Sequence, residues 1–190
     1  MFTVRDATFA AAMSLAALSS AALSSAFAEM TVEVGGAPMY PSKNIIENAV
    51  NSKDHTTLLA AVKAADLVET LQGDGPFTVF APVNKAFDKL PKDTVEKLLK
   101  PENKAILTAV LTYHIIFGKI SAADFIAAVK KGGGEATYKT VEGEELTVRH
   151  DGRRLEIIGA KGDKSFVTIA DVTQKNGVIH VVDTVLLPKS

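Results

Sequence analysis

The sequence predicts a single α+β domain, and three observations support this fold class. Apolar residues recur at helical spacing through much of residues 42–131. After the glycines at 132–134, the pattern changes to short runs rich in β-branched residues, which is typical of strands. The dipeptides Asp151-Gly152 and Asn176-Gly177 separate some of these runs, and we expect positive φ at both glycines. The chain therefore has a helix-rich first half and a β-rich second half.

Residues 1–28 have the pattern of a secretory signal peptide. No charged residue occurs from Thr8 to Ala28, and the stretch ends in Ala-Phe-Ala immediately before Glu29. A mitochondrial presequence is the alternative, but the single arginine, Arg5, argues against it. We therefore expect an exported protein that is cleaved after Ala28.

Residues 29–41 are predicted to be a flexible leader, and residues 42–188 are predicted to be the folded domain. Two glycines and two prolines interrupt the leader and leave it little periodicity. Beyond the signal peptide, no apolar run is long enough to span a bilayer. We therefore expect no membrane span after signal removal.

Helices are expected along most of residues 42–131, with an embedded strand. Serine and aspartate suit N-caps, and proline suits the first turn of a helix. The three glycines that follow the last helical segment are expected to end it. The predicted caps and boundaries of these helices are Ser42, Asp54, Pro91, Pro101 and Ser121.

The embedded strand lies in the stretch FTVFAPVNKAF, residues 77–87. Phe80 and Phe87 are predicted core residues. Pro82 ends the strand, because proline lacks the N–H that a ladder needs. Asn84 is expected to cap the short helix that follows. Since the stretch contains no nucleophile or acid, we interpret it as a structural joint between strand and helix.

The composition excludes several classes of function. The formal net charge of −1 provides no basic field for nucleic acid. The chain has no cysteine, so neither a disulfide nor thiol catalysis is expected. No two of the four histidines have the spacing of a helical zinc pair, and nucleotide-binding and hydrolase motifs are absent. We predict no cofactor, no metal and no enzymatic activity.

Two further features have a structural and a functional interpretation. His114 and His180 lie among apolar residues and are predicted to be buried core histidines with hydrogen-bond partners. Lys161-Gly162-Asp163 resembles a tripeptide that some integrins bind, but turn chemistry favours a polar hairpin tip.

Three segments together resemble the fasciclin (FAS1) domain family. They are TVFAPVNKAF at 78–87, YHII at 113–116 and NGVIHVVDTVLLP at 176–188, in the order that the family shows. The resemblance covers nearly all of the chain after the signal peptide. The residues that match the two longer signatures are Thr78, Phe80, Pro82, Asn84, Phe87, Asn176, Gly177, His180 and Asp183.

The resemblance implies a fold in which a β-wedge of two small sheets packs with several helices. It also implies adhesion to matrix components, receptors or cell-surface glycans, without catalysis. Asp171 and Val172 match an Asp-Ile pair that is tied to integrin binding in some animal members. Tyr113 and His114 match a second adhesion-linked motif. The chain is similar to the small secreted single-domain bacterial members of the family.

The resemblance therefore predicts a secreted, periplasmic or cell-surface adhesion module that binds an extracellular protein or glycan. The alternative is a protein of the cell envelope that binds a small molecule such as a lipid or glycan, and a deep apolar pocket would favour it. We also expect Asp171 to be exposed and unimportant for stability, unless it caps a local turn through its own backbone. The oligomeric state is left open.

Overall fold

The computed structural model describes residues 31–189, and the predicted signal peptide lies outside them. The strands are β1 (Val32–Val34), β2 (Ala37–Met39), β3 (Phe77–Pro82), β4 (Ile115–Phe117), β5 (Glu135–Lys139), β6 (Glu145–His150), β7 (Leu155–Ile158), β8 (Lys164–Gln174) and β9 (Gly177–Val182). The α-helices are α1 (Ile45–Ala49), α2 (Thr56–Ala64), α3 (Val68–Gln72), α4 (Asn84–Asp88), α5 (Lys92–Leu98), α6 (Lys104–Tyr113) and α7 (Ala122–Lys131). Short 3-10 helices at Lys53–His55 and Pro101–Asn103 precede α2 and α6. This content confirms the predicted α+β class.

Seven strands lie in the order β4-β3-β9-β8-β7-β6-β5, and β1 pairs only with β2. The β3–β9 pair is parallel and the others are antiparallel. The long strand β8 divides its pairing, since its first residues pair with β7 and residues 167–174 pair with β9. Register shifts on both sides of Ile169 bend β8. Two small sheet segments therefore meet at β8, as the predicted β-wedge requires.

Helices cover the two sheet segments and bury separate parts of the core. Helix α7 places Phe125 and Val129 against β6 and β7. Helices α1 and α2 pack against β3 and β9 with the β1–β2 hairpin. Both β3 and β9 are buried nearly throughout, as expected for parallel strands covered on both faces.

The prediction of a flexible leader is wrong for residues 32–39. These residues form the β1–β2 hairpin, in which Val34 pairs with Ala37 across a two-residue turn. Gly35 and Gly36 have φ of 61° and 75°, the left-handed backbone that such a turn requires. Val34, Ala37 and Met39 are buried in the main core. The two glycines therefore mark a hairpin turn rather than a linker.

Several predicted helix starts shift by a few residues. The N-cap of α1 is Asn44 instead of Ser42, and His55 instead of Asp54 precedes α2. Ser121 caps α7 as predicted, because its hydroxyl accepts the Asp124 N–H in a capping box. Local side-chain chemistry therefore predicts where each helix lies. Its first residue is less certain from the sequence, because neighbouring residues can also serve as the N-cap.

The two predicted turn glycines serve different purposes. Gly152 has φ of 87°, as expected for the turn between β6 and β7. Gly177 is not among the glycines with positive φ, so that prediction is wrong. A Cβ on Gly177 would lie 2.1 Å from the Phe77 carbonyl oxygen in the adjacent strand. Glycine is therefore needed at 177 for close backbone approach.

Candidate functional site

The two longer signature segments meet at the centre of the sheet. β3 and β9 pair in parallel from Phe77–Gly177 to Pro82–Val182. The Thr78 hydroxyl donates to the Gly118 carbonyl at 2.6 Å and accepts the Ile120 N–H at 3.0 Å. Thr78 therefore holds the loop that leads into α7. Since Thr78 and the β9 residues are buried, these positions support the fold.

The sequence predicted that Asn84 caps its own helix, α4, and this prediction is wrong. Asn84 caps the start of α2 instead. The N-cap of α4 is Val83. The Asn84 side-chain oxygen accepts the Thr57 N–H at 3.0 Å, and its amide donates to the Lys53 carbonyl at 2.8 Å. Helix α2 lacks a side-chain cap from its own N-cap residue. Asn84 therefore supplies that cap from a distant part of the chain.

Asn176 and Asp183 make similar long-range connections at the two ends of β9. The Asn176 amide donates to the Leu71 and Gly73 carbonyls at 2.8 and 2.9 Å. The Asp183 carboxylate accepts the Phe166 N–H at 2.9 Å. Burial raises the pKa of Asp183, but the hydrogen bonds from Phe166 and Thr184 and the nearby charge of Lys89 together outweigh it and lower that pKa below its ordinary value.

Tyr113 and His114 are buried at the end of α6, with 0% and 3% of their surfaces exposed. The Tyr113 hydroxyl donates to the Glu145 carbonyl at 2.9 Å and accepts the Ala160 N–H at 2.7 Å. Neither side chain presents a surface to a partner, and the predicted role of these two residues in partner binding stays a prediction. The Tyr-His motif joins α6 to the β-rich half of the domain.

His114 confirms the prediction of a buried histidine bonded to a signature segment. Its Nε2 accepts the Leu186 N–H at 3.0 Å, so its Nδ1 carries the proton and donates to the Val110 carbonyl at 2.7 Å. Burial lowers the pKa of His114 to about 4, although the Val110 carbonyl favours the charged form. His114 is therefore neutral at pH 7.

His180 is also buried, and it supports the candidate residue Asp171. Its Nδ1 accepts the Asp171 N–H at 3.3 Å, and its Nε2 donates to the Ile120 carbonyl at 2.9 Å. Burial lowers the pKa of His180, so the neutral ring makes both bonds. This histidine connects β8 and β9 to the loop before α7.

Asp171 is exposed, and its neighbour Val172 is 1% exposed. Asp171 lies at the irregular part of β8, with a left-handed φ of 57°. Its carboxylate accepts the N–H of Ala122, the first residue of α7, at 2.8 Å. The Val172 side chain is part of the core, and its predicted contact with a partner stays a prediction. Of the four candidate residues, Asp171 alone presents its side chain to solvent.

A surface groove of about 460 Å³ borders Asp171. Ala122, which bonds to Asp171, lines the groove together with Ile126 of α7. Arg153 and Arg154 also line the groove and are exposed. The sequence reasoning missed both arginines, although two adjacent cations after the Asp151-Gly152 turn are a visible signal. The groove combines an apolar wall with two cations and a neighbouring carboxylate.

The remaining candidate features are metal ligands, the Lys161-Gly162-Asp163 segment and membrane-spanning helices. No group of three or more histidine, aspartate or glutamate residues is arranged to hold a metal ion in that range. The Lys161-Gly162-Asp163 segment is a hairpin turn with φ of 85° at Gly162, as predicted. No helix in the same range is both long and apolar enough to cross a membrane.

Comparison with known proteins gives consistent matches. The fasciclin domain profile matches residues 53–188. Protein sll1483 of Synechocystis is 47% identical over 161 residues, covering 84% of this chain and 82% of that protein. Cell surface glycolipoprotein MPB83 of Mycobacterium bovis is 35% identical over 149 residues, covering 74% of this chain and 58% of that protein.

A solved structure shares the fold at lower sequence identity. The FAS1 domain pair of the insect cell adhesion molecule fasciclin I superposes with a TM-score of 0.69 and 22% identity. The match covers 78% of this chain and 52% of that chain. The fold, the fasciclin profile and the sll1483 match agree, and this chain belongs to the fasciclin domain family.

Proposed function

We propose that the protein is a non-enzymatic adhesion or interaction module of the cell exterior. It is secreted, periplasmic or held at the cell surface, and it binds a matrix component, a receptor or a cell-surface glycan. The family membership supports this class of function. MPB83, a relative described as a cell surface glycolipoprotein, supports the location.

The observation that carries the proposal is the groove beside Asp171. The other three candidate residues are buried, so a binding surface at this end of β8 must use Asp171 and what surrounds it. The guanidinium groups of Arg153 and Arg154 suit carboxylate or sulfate groups, to which arginine can donate two parallel hydrogen bonds. Arg154 also lies 4.2 Å from the Phe166 ring centroid, which restrains its guanidinium. We therefore propose an anionic protein or glycan as the partner.

An adhesion assay with charge-neutralising variants tests the groove. We expect the double variant Arg153→Gln/Arg154→Gln to bind immobilised matrix or cell-surface extract at least roughly tenfold more weakly, mainly through slower association. The matched control is Lys130→Gln/Lys131→Gln, which removes the same charge from the exposed end of α7. Equal losses in both variants would mean that net charge, rather than the groove, governs binding.

Two substitutions of Asp171 distinguish the role of its charge in binding from its role in stabilising the fold. Asp171→Ala removes the bond to Ala122 and puts a side chain without local hydrogen bonding at positive φ, so we expect destabilisation of about 1–2 kcal/mol. This corrects the expectation that Asp171 is unimportant for stability, and the structure shows a cap on α7 rather than a bond to its own turn.

Asp171→Asn keeps the accepting oxygen and tolerates the left-handed backbone. We expect this variant to unfold within about 0.5 kcal/mol of wild type and to lose adhesion if the charge contacts the partner. Full adhesion by Asp171→Asn would limit Asp171 to its structural role.

Export is checked separately by N-terminal sequencing of the secreted protein, for which we expect Glu29 as the first residue.

A further inference from the structure

The groove beside Asp171 has a large apolar share in its lining. Five aliphatic residues from α7, β7 and β8 contribute to it, and they are Ala122, Ile126, Leu155, Val167 and Ala170. Leu155 and Val167 are buried, whereas the other three keep part of their surface exposed. Covering apolar surface that is still in contact with water lowers the free energy. The groove therefore favours a partner that brings apolar groups as well as charge.

The two arginines of the groove lie on a turn whose backbone is fixed by hydrogen bonds. One side-chain oxygen of Asp151 accepts the N–H groups of Arg153 and Arg154 at 2.8 and 2.7 Å. Neither guanidinium forms an ion pair within the part of the chain that the structure describes. The described residues that line the groove include no aspartate or glutamate. Both guanidinium groups are therefore available to carboxylates of a bound partner.

A sulfated glycan and an acidic peptide would use this lining differently. Arginine binds sulfate and carboxylate groups alike, so the two cations by themselves do not separate these partners. A sulfated sugar carries hydroxyl and sulfate groups around its ring. Placing those groups against aliphatic side chains removes water from them without supplying hydrogen bonds in return, which costs free energy. A carboxylate next to a large apolar side chain suits both the arginines and the aliphatic residues, so the groove favours a peptide.

We propose that the groove binds a short segment of a partner protein in which aspartate or glutamate residues alternate with large apolar residues. This inference rests on the proposed adhesion function and narrows its anionic partner to one chemical class. The groove volume of about 460 Å³ falls within the range of roughly 300–1,000 Å³ that is usual for binding sites. In an extended segment successive residues are about 3.3 Å apart, so a few residues present both kinds of side chain.

Binding of four defined probes to the purified protein tests the proposal. The probes are the blocked hexapeptides acetyl-GDLDLG-amide, acetyl-GDSDSG-amide and acetyl-GNLNLG-amide, and a sulfated hexasaccharide of heparin. Two-dimensional NMR reports the location and the affinity of each. We expect acetyl-GDLDLG-amide to shift the Ile126 and Val167 methyl signals and the Nε–H signals of Arg153 and Arg154 saturably. The peptide without leucine should bind at least roughly fivefold more weakly, because it covers less apolar surface.

The peptide without carboxylates should also bind at least roughly fivefold more weakly, because it makes no charged hydrogen bonds to the arginines. Equal affinities of acetyl-GDLDLG-amide and acetyl-GDSDSG-amide would overturn the proposal, since the apolar lining would then contribute nothing. Tighter binding of the hexasaccharide than of acetyl-GDLDLG-amide at these residues would assign the groove to glycans instead. The absence of saturable shifts at these residues would also reject the proposal.

A matched pair of variants tests the apolar lining itself. Ile126→Ala removes aliphatic surface from the groove, whereas Ile106→Ala makes the same change on α6, where Ile106 is 53% exposed and does not line the groove. The preference for acetyl-GDLDLG-amide over acetyl-GDSDSG-amide should fall below roughly twofold in Ile126→Ala and stay unchanged in Ile106→Ala. A preference that survives Ile126→Ala would contradict the proposal. Should Ile126→Ala fail to fold, the wild-type comparison of the four probes still decides the matter.

The adhesion assay keeps this inference separate from the proposed function. Adhesion that is lost in Arg153→Gln/Arg154→Gln, together with no binding of acetyl-GDLDLG-amide, would keep the groove as the adhesion surface and overturn only the peptide class. Adhesion that survives in that variant, together with no binding of the peptide, would reject both. Loss of adhesion and tight, leucine-dependent peptide binding would support both.

Discussion

The substitution His114→Gln tests how strongly the buried Tyr-His motif supports the fold. In wild type, the ring accepts the Leu186 N–H and donates to the Val110 carbonyl. A glutamine side chain cannot hold both bonds in the same geometry, so we expect the free energy of unfolding at pH 7.5 to fall by about 1–3 kcal/mol. This loss alone does not show that His114 is buried in its neutral form, because many core substitutions cost as much.

The pH dependence of the free energy of unfolding distinguishes the loss of His114 from the loss of another core residue. The pKa of His114 is about 4 in the folded protein, against 6.5 for an exposed histidine. The unfolded chain therefore binds a proton at pH values where the folded chain does not. The contribution of His114 to stability is fully present above pH 6.5 and is lost as the pH falls towards 4. The linkage relation gives a loss of about 2 kcal/mol at pH 5.

Urea unfolding measures the free energy of unfolding at each pH. Far-ultraviolet circular dichroism follows the transition, because the chain has no tryptophan to serve as a fluorescent probe. We expect the stability gap between wild type and His114→Gln to shrink by about 2 kcal/mol between pH 7.5 and pH 5. Val129→Ala is the control, because it destabilises a core cluster without removing a titrating group. A gap that stays constant with pH would show that His114 is not held neutral by burial.

Three further substitutions test the backbone approach, the long-range cap and the hairpin, all by denaturant unfolding. Gly177→Ala should cost about 3 kcal/mol, because its Cβ would lie 2.1 Å from a β3 carbonyl oxygen. Gly159→Ala, whose Cβ would be 3.5 Å from its nearest neighbour, should cost less than about 1 kcal/mol, and similar losses at both glycines would refute the steric argument. Asn84→Ala should cost about 1–2 kcal/mol by uncapping α2, while the exposed neighbour variant Lys85→Ala should be nearly neutral. Met39→Ala should cost roughly 2–4 kcal/mol, and no loss would mean that the β1–β2 hairpin is not part of the core.

Features that depend on neighbouring residues were predictable from the sequence. Pro82 ends β3 because it lacks an N–H, and Ser121 caps α7 because its hydroxyl is within reach of the third helical N–H. The change from helical to strand periodicity after residue 134 also follows from local pattern, and so does the hairpin turn at Gly162. Each of these results involves atoms within a few residues of one another along the chain.

The tertiary structure decided the features that join distant segments. β3 and β9 pair although about a hundred residues separate them, and Asn84 caps a helix that begins 28 residues earlier. Arg153, in the turn between β6 and β7, lines the same groove as Ala122 and Ile126 of α7. The spacing of residues along the chain carries little information about such contacts, because folding brings together atoms whose sequence separation is arbitrary. The sequence therefore determined the family, the fold class and the local joints, whereas burial and long-range pairing determined which candidate residues reach solvent.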